Sequence, residues 1–225
     1  MLLLAVLLLL GSAAAFTWTE KLKLEPPPVE ATPFHKRFSP LCGCRRETAR
    51  LSFVLVRGDS IDVEVVDKDA EVVRTLADGL ERRPGRVKLD WDGRDADGNV
   101  VPDGAYRVRV RLERADRSVL LRRSVRVDTQ PPHVQLRGVS ATTFSRGGRG
   151  IVIRYTASEP GRLVLLVDGR RAVRMRVEAG ASSLTWDGTF RSQMAAPGVH
   201  EVAFRMVDDA GNRSDTTEPV RVTVT

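Results

Sequence analysis

Cys42-Gly43-Cys44 places two thiols one residue apart, and they are the only cysteines among 225 residues. In oxidising surroundings such a pair closes on itself or bridges to another chain; elsewhere it stays as two thiols. A metal would need further ligands, and His35 is the nearest candidate. Asp90, Asp92, Asp95 and Asp97 gather four carboxylates in one stretch, which invites a calcium reading. An EF-hand loop needs oxygen donors at its first, third and fifth positions and Gly at the sixth. Setting Gly98 at the sixth position puts Gly93 at the first. The pattern fails, and a plain hairpin loop is expected. Arginines recur along apparent strands at Arg107, Arg109 and Arg111, at Arg122, Arg123 and Arg126, and at Arg170, Arg171, Arg174 and Arg176. Such stripes suit acidic cell-wall polymers or lipid headgroups, or they are the solvated outer faces of half-buried sheets. There is no G-x-S-x-G elbow, no H-E-x-x-H and no Gly-rich phosphate loop. His133 and His200 fall inside strand patterns. No catalytic residue, cofactor or resident metal is expected, and the chain is read as a non-enzyme.

Composition narrows the field further. Hydrophobic residues make up 42%, enough to build a packed core and to argue against wholesale disorder. The formal net charge is +7, carried by 31 arginines and only 5 lysines against 29 acids. Aromatics are 5%, too few for a base-stacking platform, so nucleic acid is not an expected partner. Two cysteines exclude a disulfide scaffold.

The amino terminus points out of the cytoplasm. Residues 2–10 read LLLAVLLLL, followed by Gly11, Ser12 and Ala13-Ala14-Ala15. This has the length of a signal-peptide core, and Ala13 and Ala15 fit the cleavage pattern, which would start the mature chain at Phe16. Joined through Trp18, the segment reaches 17 residues, the lower limit for a membrane helix, with Trp18 at the interface and Lys21 and Lys23 beyond. The leading reading of residues 1–18 is an N-terminal hydrophobic helix that stays as an anchor; the other is a cleaved signal. Residues 19–46 carry Pro26-Pro27-Pro28, Pro33 and Pro40, which oppose helix and central strand alike. They are read as an extended stalk, with an ordered arm lying on the first domain as the alternative.

The body repeats. Trp91-Asp92-Gly93 returns as Trp186-Asp187-Gly188, an offset of 95, and Pro102 and Pro197 keep the same offset. With one residue deleted, Gly104, Tyr106, Val108 and Val110 align with Gly198, His200, Val202 and Phe204. One fixed period argues for tandem copies of one fold. Residues 106–112 read YRVRVRL, a strict alternation that turns Val108, Val110 and Leu112 to one face and the arginines to the other. Strands are also expected at 50–56, 61–66, 72–73, 86–91 and 120–127, and in the second copy at 133–139, 150–157, 162–168, 171–177, 182–186, 199–207 and 218–225. This density of short strands means an all-β sandwich or barrel. The boundaries expected are 47–129 and 130–225, joined at Asp128-Thr129-Gln130-Pro131-Pro132, a short stiff link favouring an end-to-end rod.

Two stretches carry a family resemblance: IDVEVVDKDAEVVRTL at 61–76 and WDGRDADGNVVPDGAYRVRV at 91–110. They resemble the bacterial immunoglobulin-like domain named after the flagellar hook-capping protein FlgD. The second copy keeps Trp186-Asp187-Gly188 but has TFRSQMAA in place of the acidic loop, and its VDDAGNRS at 207–214 is similar to strand ends of extracellular bacterial Ig-like repeats. The resemblance implies two tandem Ig-like β-sandwiches, no catalysis, and a role as spacer or interaction module. The hook-capping role itself is not carried over. In both copies the Trp is expected to plug one end of a sandwich core, with Asp92-Gly93 and Asp187-Gly188 starting the turn and Pro102 and Gly104 closing it.

The function expected from these readings is positional. The chain is an extracytoplasmic envelope protein presenting two Ig-like modules to an unidentified protein or cell-wall partner, held to the membrane by its N-terminal segment. The alternative is a secreted module that binds an anionic cell-wall polymer or polysaccharide through the faces carrying Arg107, Arg109 and Arg111 and Arg170, Arg174 and Arg176.

Overall fold

The computed structural model describes residues 27–32, 37–190 and 193–225. Regular structure among them is all strand, with no helix long and apolar enough to cross a membrane. The anchor-or-signal reading of residues 1–18 and the proposed ligand His35 lie outside the described residues.

The first core is built from β1 (Val29–Ala31), β2 (Arg37–Phe38), β3 (Ala49–Leu55), β4 (Asp59–Val66), β5 (Val72–Arg82), β6 (Gly85–Trp91), β7 (Gly104–Leu112) and β8 (Arg117–Val127). One sheet runs β1-β3-β6 and the other β2-β8-β7-β4-β5. Alternation decides what each contributes. Leu51, Phe53 and Leu55 of β3, Ile61, Val63 and Val65 of β4, and Val108, Val110 and Leu112 of β7 all enter one buried cluster. Removing each such side chain from water contributes about 1.5–3 kcal/mol.

The second core is separate. It draws on β9 (Val134–Val139), β10 (Thr143–Phe144), β11 (Ile151–Ala157), β12 (Gly161–Val167), β13 (Arg170–Val177), β14 (Gly180–Trp186), β15 (Thr189–Phe190), β16 (Gln193–Met194), β17 (Gly198–Val207) and β18 (Val220–Val224). Its sheets run β14-β11-β9 and β10-β18-β17-β12-β13, with β15-β16 as a small ribbon. Ile151, Ile153 and Tyr155 of β11 meet Leu163 and Leu165 of β12 and Phe204 and Met206 of β17.

Two expectations need correction. In the stretch read as a stalk, the described residues 29–32 and 37–46 lie on the first unit, which is the ordered-arm alternative. β1 pairs antiparallel with β3, β2 pairs parallel with β8, and Phe38 is wholly buried in the first core. Proline excludes central strands but not edge strands, which is where both pieces lie. β5 is also far longer than the two valines expected. It runs 11 residues as an edge strand with three register shifts against β4, so it never shows a clean alternation.

Candidate functional site

The Trp-Asp-Gly stretches do structural work at one end of each core. Trp91 and Trp186 are buried, and each donates its indole N–H to the carbonyl three residues on, Arg94 O and Thr189 O, both at 3.0 Å. Phe38 and Tyr106 pack edge-on to Trp91 at 5.5 and 5.1 Å, and Phe144 and His200 pack edge-on to Trp186 at 5.5 and 6.4 Å. Asp92 accepts the Arg94 N–H and Asp187 the Thr189 N–H, each closing the turn. Asp95 accepts the N–H groups of Asp97 and Asn99, so this carboxylate caps its own loop, as the hairpin reading expects. Gly93 has φ +73°, and a Cβ there would lie 2.3 Å from Pro40 Cγ. Pro102 closes the same end through its carbonyl, which accepts the Tyr106 hydroxyl at 2.7 Å, with Gly104 starting β7 between them.

His200 replaces that tyrosine in the second unit. Its Nε2 faces Ala196 O at 2.8 Å and its Nδ1 faces Asp168 Oδ2 at 2.7 Å. Both partners accept, so the doubly protonated ring satisfies both contacts at once. The Ala196 carbonyl, then Asp168, raise the His200 pKa above its ordinary value against a lowering by burial. Burial would lift Asp168, but its bonds from His200 and the Glu201 N–H hold it below the usual carboxylate range. A raised histidine stabilises the fold fully below its unfolded pKa, and that gain is lost as pH rises through the folded value. His200→Tyr is expected to donate to Ala196 O at every pH up to the phenol's own. The wild-type protein therefore loses about 0.5–1 kcal/mol between mildly acidic and mildly alkaline pH, after solvent screening, and the variant loses none of it. Calorimetry of the second unit across that range checks this. The 420 Å³ cleft beside His200 has Asp168, Arg170 and Met194 on its walls, and its lining among the described residues includes no Ser, Thr or Cys.

A second constellation lies between the units. Cys42 and Cys44 are bridged to each other in this structure. The bridge sits on the Asp208–Asn212 loop of the second unit. A Cβ built on Gly211 would lie 2.6 Å from Cys44 Sγ and 3.2 Å from Cys42 Sγ. Arg46 donates to Asp209 O, and Asp209 holds Arg176 through two bonds at 2.6 and 2.8 Å. That guanidinium keeps the Asp209 carboxyl below its ordinary range. Asp208 accepts the N–H groups of Gly211 and Asn212, and the Asn212 amide donates to Asp128 O in the link at 2.8 Å. Asn212 heads a glycosylation sequon, yet it is buried with its amide engaged, which leaves no room for a sugar.

Asp128, Glu159 and Asp208 bring carboxylate oxygens within 4.8 Å of one another at this joint, a grouping no local pattern announces. Burial, then the Asp208 charge, push both Asp128 and Glu159 above the usual carboxylate range. A raised carboxyl favours the fold at pH below its unfolded value and opposes it as pH climbs through the folded one. Unit charges about 4 Å apart repel by about 1 kcal/mol even in bulk water. Glu159→Gln is expected to stabilise the protein by about that amount at neutral pH and by nothing near pH 4, which denaturant titration at both pH values reads.

The arginine stripes divide. On β7, Arg109 and Arg111 stand opposite Glu64 and Asp62 of β4, and Arg109 Nε bonds Glu64 at 2.7 Å. Arg107 stands opposite Val66. On β13 a bulge at Leu165/Leu166 of the partner strand changes the parity. Arg174 and Arg176 pair with Val164 and Arg162 on the outer face, and Arg171 joins them opposite Leu166. Arg170 lines the cleft beside His200 instead, so it leaves the face to which it was assigned.

Residues 52–116 match the FlgD Ig-like domain family. The basal-body rod modification protein FlgD of Salmonella typhimurium is 42% identical over 52 residues, covering 23% of this chain and 22% of that protein, and the Salmonella typhi protein matches equally. The chain thus spans about a fifth of the curated relatives' length. Among solved structures, fibronectin(III)-like modules of Clostridium thermocellum CbhA align at 20% identity and TM-score 0.46, over 88% of this chain and 94% of that one. Dimeric latent PorU of Porphyromonas gingivalis aligns at 12% identity and TM-score 0.34, over 88% of this chain and 20% of that one.

Proposed function

We propose that this chain, which carries a FlgD Ig-like domain at residues 52–116, is a non-catalytic extracytoplasmic protein whose two β units are tandem Ig-like sandwiches acting as a spacer. The observation that carries the reading is the joint: two separate cores, a five-residue link with two prolines, and a bridged Cys42–Cys44 loop seated on Gly211. A spacer needs units that keep their relative position, and these contacts supply the means. The matched placement of Trp91 with Phe38 and Trp186 with Phe144 supports a common origin for the two units. A bridged cysteine pair suits an oxidising compartment. In this reading residues 1–18 hold the protein to the membrane. Fractionation of an expressing bacterium followed by intact mass tests it. The full-length mass in the membrane fraction with Cys42 and Cys44 oxidised supports the tethered spacer. A product beginning at Phe16 turns it into a secreted module, and a soluble cytoplasmic product with free thiols overturns it.

A second reading, binding of an anionic polymer through arginine faces, is favoured by one observation: the outer face of β12, β13 and β17 gathers five arginines around buried aliphatic side chains.

A further inference from the structure

The two arginine faces differ in what stands beside them. In the first unit, acids on β4 oppose the β7 arginines. In the second, the central strand β12 offers no acid. Arg162 lies between Arg176 and Val207, Val164 between Arg174 and Arg205, and Leu166 between Arg171 and Ala203. Val164 and Leu166 are 6% and 7% exposed yet lie outside the core, flanked by arginine stems that cover apolar surface while the heads reach outward. Asp209 occupies Arg176 at one corner; among the described residues Arg162, Arg171, Arg174 and Arg205 form no salt bridge. Arg205 Nε is buried without an acceptor. A buried donor left unmade is costly, and among the described residues no acid of this chain already neutralises that side of Arg205.

We propose that this face of β12, β13 and β17 binds an extended polyanion, a chain bearing repeated carboxylates or phosphates, through Arg162, Arg171, Arg174 and Arg205. Guanidinium forks match both oxyanions bidentately. Arg174 and Arg205 lie two strands apart, about 10 Å, and neighbours along one strand about 7 Å, a flat grid that suits a chain crossing the strands rather than a small enclosed ligand. A membrane surface fits less well, because the exposed large apolar side chains Leu41 and Val72 lie in the first unit, away from the grid.

The proposal rests on the second reading above and narrows it to one face. The test immobilises polygalacturonate and, separately, polyphosphate, and measures binding of the full chain at about 0.05 M and about 0.3 M salt, where screening differs strongly. The variants are Arg162→Gln/Arg174→Gln/Arg205→Gln and a control of equal charge loss, Arg107→Gln/Arg111→Gln/Arg122→Gln, each checked for an unchanged melting temperature. Binding that weakens at least tenfold in the first variant and less than threefold in the control supports the face, and the preferred polymer identifies the oxyanion. Equal weakening in both variants overturns the face while leaving the second reading intact. No binding of wild-type protein to either polymer overturns both, as does binding only to phosphatidylglycerol vesicles offered in parallel.

Discussion

Trp91→Ala is expected to lower the stability of the first unit by about 3–5 kcal/mol, the usual cost of emptying a buried aromatic site, and to leave the second unit close to its original stability. Trp91 is the largest side chain of the first core and is fully buried. Three groups lean on it: Phe38 from the amino-terminal arm, Tyr106 from β7, and the Arg94 carbonyl that takes its N–H. Alanine removes the contacts of all three and frees the arm, because Phe38 then has little to hold β2 against β8. For a small domain each kcal/mol moves the melting temperature by about 4–8 °C, so a fall of roughly 12–40 °C follows. Differential scanning calorimetry should show one transition displaced and one retained. Trp186→Ala should displace the other. If either substitution moves both transitions equally, the two clusters unfold as one block and the separate-core description fails.

What could be read from the chain follows from how far apart the deciding residues are. Tyr106–Leu112, with one buried face, announces itself through alternation, Leu163–Val167 through an unbroken apolar run, and the Trp-Asp-Gly turns through local chemistry. β2 and β10 do not. Each is two residues long, and Phe38 and Phe144 sit in Pro-rich and Gly-rich surroundings without a period. They are also 106 residues apart, outside the repeat of 95 that the tryptophans keep, so the fixed repeat does not relate a pair that the structure places alike. Arg170 leaves the face its spacing predicts because a bulge reverses parity, and a bulge has no reliable signature in one sequence. The seat of the cysteine loop on Gly211 and the gathering of Asp128, Glu159 and Asp208 are long-range contacts. Residue types flag the members, but only the fold brings them together.

Gly211→Ala is the sharpest probe of the joint, and its cost is expected to depend on the cysteines. Two penalties fall on that alanine. The backbone sits at φ +105°, a conformation side chains rarely adopt, which costs about 1–3 kcal/mol. The new Cβ also meets Cys44 Sγ at 2.6 Å and Cys42 Sγ at 3.2 Å. Neither sulfur can swing away alone, since the two are joined. Gly180 isolates the first penalty, with φ +109° and nothing within 4 Å of its Cβ position. Gly180→Ala should therefore cost the strain alone. Gly211→Ala should cost about 1–2 kcal/mol more, the usual range for overpacking, and should open the Asp128–Pro132 link to protease. In a Cys42→Ala/Cys44→Ala background the obstacle is gone, so the excess should vanish and the two glycine substitutions should cost the same. Residues in contact show couplings of about 0.5–3 kcal/mol in such cycles. An excess that survives loss of both sulfurs would mean that the bridge is not what meets Gly211 in solution. The joint would then rest on the Asn212–Asp128 bond and the link, and the bridge would drop out of the physical basis for a spacer of fixed length.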